Sequence, residues 1–112
     1  MHESGIAYDI YATSKCAAED NGAVKVKTIY VDVGSMAMVN PDQVEFMFGT
    51  FITDNPMFSG TKLVFNTVPP VAECECGYSG PEIFVCPTCG KLPLLVQGRE
   101  ILVKNIEINT EE

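Results

Sequence analysis

Apolar positions change period several times along the chain, and each change marks an element. Over residues 4–21, SGIAYDIYATSKCAAEDN, Ile6, Ile10, Thr13 and Ala17 recur on one helical face, with Ala7, Tyr11 and Ala18 beside it. Ser4 is the expected N-cap and Asn21-Gly22 the expected stop. Cys16 falls inside this helix, where a small, semi-buried apolar role is expected. Residues 24–34, VKVKTIYVDVG, alternate instead and predict a strand with Ile29, Val31 and Val33 on one face, ended by Gly34. The next stretch, VNPDQVEFMFGTF, carries a strong helix start: Asn40 as N-cap, Pro41 in the first turn and Gln43 to complete a capping box. Val39 can staple onto Val44, which joins Met47, Phe48 and Phe51 in an apolar stripe of core type. The loop TDNPMFSG leads to a second strand at 61–68, halted by Pro69-Pro70, and REILVKNIEIN at 99–109 predicts a third.

The order is therefore helix, strand, helix, strand, cysteine-rich segment, strand. Two amphipathic helices on one face of a three-stranded sheet is the economical assembly, an α+β fold. The cysteine-rich segment interrupts it, so residues 1–69 and 95–112 are expected to form one α/β domain and 70–94 an inserted unit. A length of 112 residues suits one domain with such an appendage. The six phenylalanines, Phe46, Phe48, Phe51, Phe58, Phe65 and Phe84, are the expected bulky core material in a chain without Trp. No apolar run approaches the roughly 20 residues that cross a bilayer. No basic stretch followed by an apolar one opens the chain, so a cytoplasmic protein is expected. The net charge is −8, with Lys and Arg scattered. Phosphate neutralisation needs the opposite balance, which argues against nucleic acid as a partner. The same acidity mildly favours encounter with cations.

Four of the five cysteines, Cys74, Cys76, Cys86 and Cys89, crowd into ECECGYSGPEIFVCPTCG. In a reducing compartment such a cluster points to metal rather than disulfides. Cys86-Pro87-Thr88-Cys89-Gly90 has the form of a metal knuckle, with two residues between thiols that can grip one ion from a tight turn. The other half, Cys74-Glu75-Cys76-Gly77, is shorter by one residue, so its turn must be tighter. Four thiolates suit structural zinc at about 2.3 Å. Iron, as in rubredoxin-type knuckles, and a metal-free dithiol pair are the alternatives at this stage. The segment holds too few apolar residues to fold alone, so bound metal is expected to supply most of its stability. Zinc ribbons often bind nucleic acid, but Glu73, Glu75 and Glu82 against Lys91 make this one repel phosphate.

The only histidine is His2. Beside a free α-amine it has a particular capacity. The Met1 amine, the His2 backbone nitrogen and the His2 imidazole can close adjacent chelate rings around one ion, and planar nitrogen donors suit Ni(II) or Cu(II). The bulky second residue is expected to preserve Met1, and Glu3 offers a further donor. No nucleophile–base pair and no Gly-rich phosphate loop is present, so no enzymatic activity is expected.

Over essentially its whole length the sequence resembles the HypA family of nickel metallochaperones. The resemblance rests on MHE at the start, SGIAYDI in the first helix, VDVG, VNPDQVEFMF, CECG…CPTCG and the final REILVKNIEI. It implies a carrier that delivers Ni(II) during maturation of [NiFe]-hydrogenase and, in some organisms, to urease. It implies a nickel site at Met1, His2 and Glu3, and a structural Zn(II) site at Cys74, Cys76, Cys86 and Cys89 in an inserted zinc-ribbon domain. The implied partners are a nucleotide-hydrolysing HypB-type maturation protein and the hydrogenase large subunit, with a homodimer left open. Two departures stand out. The first cysteine pair is shortened, and no histidine lies near the zinc cysteines, so a fourth nickel donor must come from backbone, Glu3, water or a partner. The rival readings are a zinc-ribbon adaptor without nickel chemistry and a rubredoxin-like electron carrier.

Overall fold

A computed structural model describes residues 3–110. Helix α1 spans Glu3–Asp20, strand β1 Ala23–Gly34, helix α2 Pro41–Phe51, a 3-10 turn Pro56–Phe58 and strand β2 Lys62–Val68. Three short strands follow, β3 Val71–Glu73, β4 Ser79–Gly80 and β5 Leu94–Gln97, before the long β6, Ile101–Thr110. The first sheet has the order β2-β1-β6, with β2 parallel and β6 antiparallel to β1. The parallel pair needs a long crossover, which α2 supplies.

Strand β1 is central, and its apolar residues make the middle of the core. Val26, Ile29 and Val31 are fully buried, together with Val44, Phe48 and Phe58. Ile29, Val31 and Val33 share a face as the alternation predicts. Val26, three residues before Ile29, joins them because the register against β6 slips between Val26 and Thr28. A β-bulge there adds one residue and returns Val26 to the helix side. A matching slip between Tyr30 and Val31 does the same on β6, where Val103 and Ile106 both pack against the core.

Helix α1 corrects two expectations. Ser4 lies inside the helix rather than capping it, and the buried stripe is Ala7, Ile10, Ser14 and Ala18, not Ile6, Ile10, Thr13 and Ala17. Small side chains at three of those four positions let the helix lie close to its neighbours, so size set its rotation more than hydropathy did. Ser14 is completely buried and its Oγ has no partner among the described residues. Cys16 is exposed, with Sγ 4.0 Å from Asp20 Oδ2. The Asn21-Gly22 stop stands where expected.

Helix α2 starts as predicted, with Asn40 Oδ1 accepting from the Asp42 and Gln43 amides at 3.0 and 3.4 Å. The reciprocal arm differs. The Asn40 amide donates to Glu3 Oε2 at 3.4 Å, so a carboxylate from α1 does what Gln43 was expected to do. A negative group suits the positive end of the helix dipole better than a neutral amide. Three of the six phenylalanines are exposed rather than core, Phe46, Phe84 and, at the end of α2, Phe51. Phe58, on the 3-10 turn, is fully buried between Tyr11 and Phe48, with ring centroids 5.1 and 6.3 Å away.

The second sheet, β4-β3-β5, is antiparallel and made by the cysteine-bearing stretch. Its join to the first sheet is tight. Met36 N donates to Gly98 O at 2.7 Å, Ser35 N to Val68 O at 2.9 Å and Gln97 Nε2 to Pro69 O at 3.1 Å. A Cβ on Gly34 would overlap the Gly98 carbonyl, and one on Gly98, at φ +117°, would meet Pro70 Cα. The described chain is elongated, 57 × 28 × 16 Å.

Candidate metal centre

Two turns bring the four clustered thiols together. In the first, the Gly77 amide donates back to Cys74 O at 2.9 Å and the Cys74 amide to Tyr78 O at 2.9 Å. This closes the shortened Cys74-Glu75-Cys76 loop at the foot of β3. In the second, Gly90 N donates to Cys86 O at 2.9 Å and Cys86 N to Lys91 O at 2.8 Å. Gly90 takes φ +76°, the left-handed turn that lets the chain reverse behind Cys89. The turns face one another. Cys74 Sγ lies 3.4 Å from Cys89 Sγ, Cys76 Sγ lies 3.5 Å from Cys86 Sγ, and all four sulfurs are within 4.8 Å of one another. Cys86 is buried, while Cys76 and Cys89 reach the surface.

These distances fit a metal such as zinc. Sulfurs placed about 2.3 Å from a tetrahedral ion stand about 3.8 Å apart, within the observed spread. The shortened spacing therefore does not keep its two sulfurs from converging. Electrostatics point the same way. Burial opposes ionisation of Cys86, but the amides of Cys89 and Thr88 and the neighbouring thiols outweigh it and bring its sulfur down to about 6. The Lys91 amide favours the thiolate at Cys89, yet contacts with Cys74 and the other thiols push it up to about 12. Cys76 is raised as well, its Tyr78 amide being outweighed by Cys86 and by burial. One thiolate forms readily and discourages the rest, so four thiolates in this space require a cation between them. Glu75 and Lys91 pair at 3.4 Å across the two turns, but both are exposed and the pair adds little to stability.

Of the expected nickel donors, Met1 and His2 lie outside the described residues. Glu3 opens α1, and its carboxylate rests on the Asn40 amide. The chain start is thereby tied to the N-terminus of α2. That tie had no signal in the sequence, since residues 3 and 40 belong to different elements. No described helix is long and apolar enough to cross a membrane.

A two-sheet α+β fold with a four-thiol cluster defines a small metal-binding protein. The chain belongs to the HypA family, whose model, described as hydrogenase/urease nickel incorporation, metallochaperone, matches residues 1–108. Relatives named hydrogenase maturation factor HypA include one from Methanocella arvoryzae, 40% identical with 96% of this chain and 98% of the relative covered. Another, from Methanothermobacter thermautotrophicus, is 36% identical with both chains covered completely. A solution structure of the Ni metallochaperone HypA from Helicobacter pylori superposes with a TM-score of 0.79. It covers 99% of this chain and 100% of its own at 21% identity, a likeness of fold.

Proposed function

We propose that the protein carries Ni(II) on Met1, His2 and Glu3 and hands it on during maturation of [NiFe]-hydrogenase. The observation that carries this reading is the family match beginning at residue 1, over a sequence whose sole histidine is His2. Nickel is cargo here, so its donors should be few and displaceable. A terminal amine, an imidazole and the intervening amide meet that requirement. Glu3, whose carboxylate accepts from the Asn40 amide, offers a further oxygen donor.

The four thiols form a separate structural site, with Cys74, Cys76, Cys86 and Cys89 holding Zn(II). A bound zinc supplies the positive charge and cross-link that keep the two turns together, and it leaves no open position for chemistry. Residues 70–94 then act as an inserted zinc-binding unit. Residues 1–69 and 95–112 act as the nickel-binding α/β domain, with β5 as the returning stem. A cytoplasmic carrier without nucleotide chemistry depends on a nucleotide-hydrolysing HypB-type partner, and the hydrogenase large subunit is the recipient.

His2→Gln tests the assignment. It removes the imidazole and leaves every described core residue unchanged. Calorimetry should show specific Ni(II) binding lost, while metal analysis finds zinc retained and circular dichroism an unchanged fold. Nickel binding equal to that of the unaltered protein would place the site elsewhere.

A further inference from the structure

Large apolar side chains stand in water on the cysteine-bearing unit, where a sheet this small cannot cover them. Leu92 is 78% and Leu94 70% exposed. They line an open groove of about 500 Å³ together with Glu73, Cys74, Glu75 and Lys91. Strand register explains the arrangement. Leu94 lies directly opposite Glu73 in the β3–β5 pair, and Ala72, the next residue along β3, is completely buried. Side chains alternate along a strand, so Glu73 and Leu94 share the outer face. The groove has an aliphatic floor walled by two carboxylates, and its one cation, Lys91, is already paired with Glu75.

We infer that this groove is a docking site for a segment of a partner protein that presents an apolar side chain flanked by lysine or arginine. Exposed aliphatic residues rimmed by charge mark interaction surfaces, where the apolar anchor supplies affinity and the rim supplies selection. The rim here selects for positive charge, because Glu73 lacks a cationic partner among the described residues and Glu75 has only an exposed one. An acidic segment is repelled by both walls, and by a chain whose net charge is −8. Lys91 competes with the incoming cation for Glu75, so it tempers affinity. The surface is independent of the nickel reading, since it uses neither the N-terminus nor any donor proposed there.

The test uses the whole zinc-loaded protein and short peptides of alternating leucine and lysine, capped at both ends, with a leucine–glutamate peptide as control. Amide chemical shifts should move around Glu73, Glu75 and residues 91–95 with the lysine peptide and stay still with the glutamate peptide. Glu73→Gln should weaken binding by about threefold, the scale of one exposed ion pair. Leu94→Asp should weaken it by about tenfold or more. Lys91→Ala should strengthen it, the one change that a merely structural ion pair does not predict. Zinc content and spectral dispersion, followed in each variant, separate lost docking from lost folding. Shifts scattered over the acidic surface, unaltered affinity in Lys91→Ala, or equal binding of the glutamate peptide would overturn the inference. So would the same shifts produced by raising protein concentration without peptide, which would make the occupant a second copy of the chain.

Discussion

Tyr30 and Glu107 show how single side chains act across the β1–β6 pair of the first sheet. The phenol donates to Glu107 Oε1 at 2.8 Å, which lowers the Glu107 pKa, with help from Thr28, and raises that of Tyr30. A depressed carboxyl stabilises the fold above its unfolded pKa and loses that contribution as pH falls through its folded value. A raised phenol contributes below its unfolded pKa and loses it as pH rises through its folded value. The bond therefore helps between about pH 4.5 and 10, and Tyr30→Phe should raise the Glu107 titration, followed by carboxyl NMR, toward the ordinary range. An unmoved titration would mean that Thr28 and Lys27 set it. At this scale the sequence was uneven. Cysteine spacing announced four converging thiols, because short turns limit where each sulfur can go. Alternation missed Val26, because a bulge is a fact about pairing with β6 and leaves no mark on β1 alone. Hydrophobicity alone puts Phe46, Phe51 and Phe84 inside, but it says nothing of which face a residue takes, and all three are exposed.

Elements followed the same division between local and long-range causes. Both helices and the three long strands were legible because caps, stops and alternation are written within each. The second sheet was not, since strands of three, two and four residues carry no measurable period. Its stability should rest on the thiols. Cys86→Ser should release zinc and erase the slow-exchanging amides of β3–β5 while those of β1, β2 and β6 persist, as hydrogen exchange would show. Retained zinc would break the four-thiolate assignment. The join between sheets offers a second check. Gly98→Ala places a methyl against Pro70 in a conformation that disfavours any side chain, so it should cost about 2–4 kcal/mol in chemical denaturation. A loss below about 0.5 kcal/mol would show that the join yields.

For the molecule as a whole, the proposed function gives two kinds of metal chemistry to different parts of one small chain. Thiolates in a closed cluster suit an ion that stays, and a terminal amine with an imidazole suits an ion that leaves. The four converging thiols were legible in the sequence, but not the Glu3–Asn40 contact that brings the start of α1 to α2, which exists only once the helices pack. In the proposed function the Met1 amine itself ligates nickel. Ni(II) titration of the protein with a free Met1 amine, against the same protein extended by a few residues before Met1, tests it most directly. The extension keeps the imidazole and converts the amine to an amide. Amine ligation predicts Ni(II) affinity lowered at least about a hundredfold, since losing a direct donor should cost more than losing an outer-shell partner, with zinc unchanged. Equal affinity in the two proteins would contradict it.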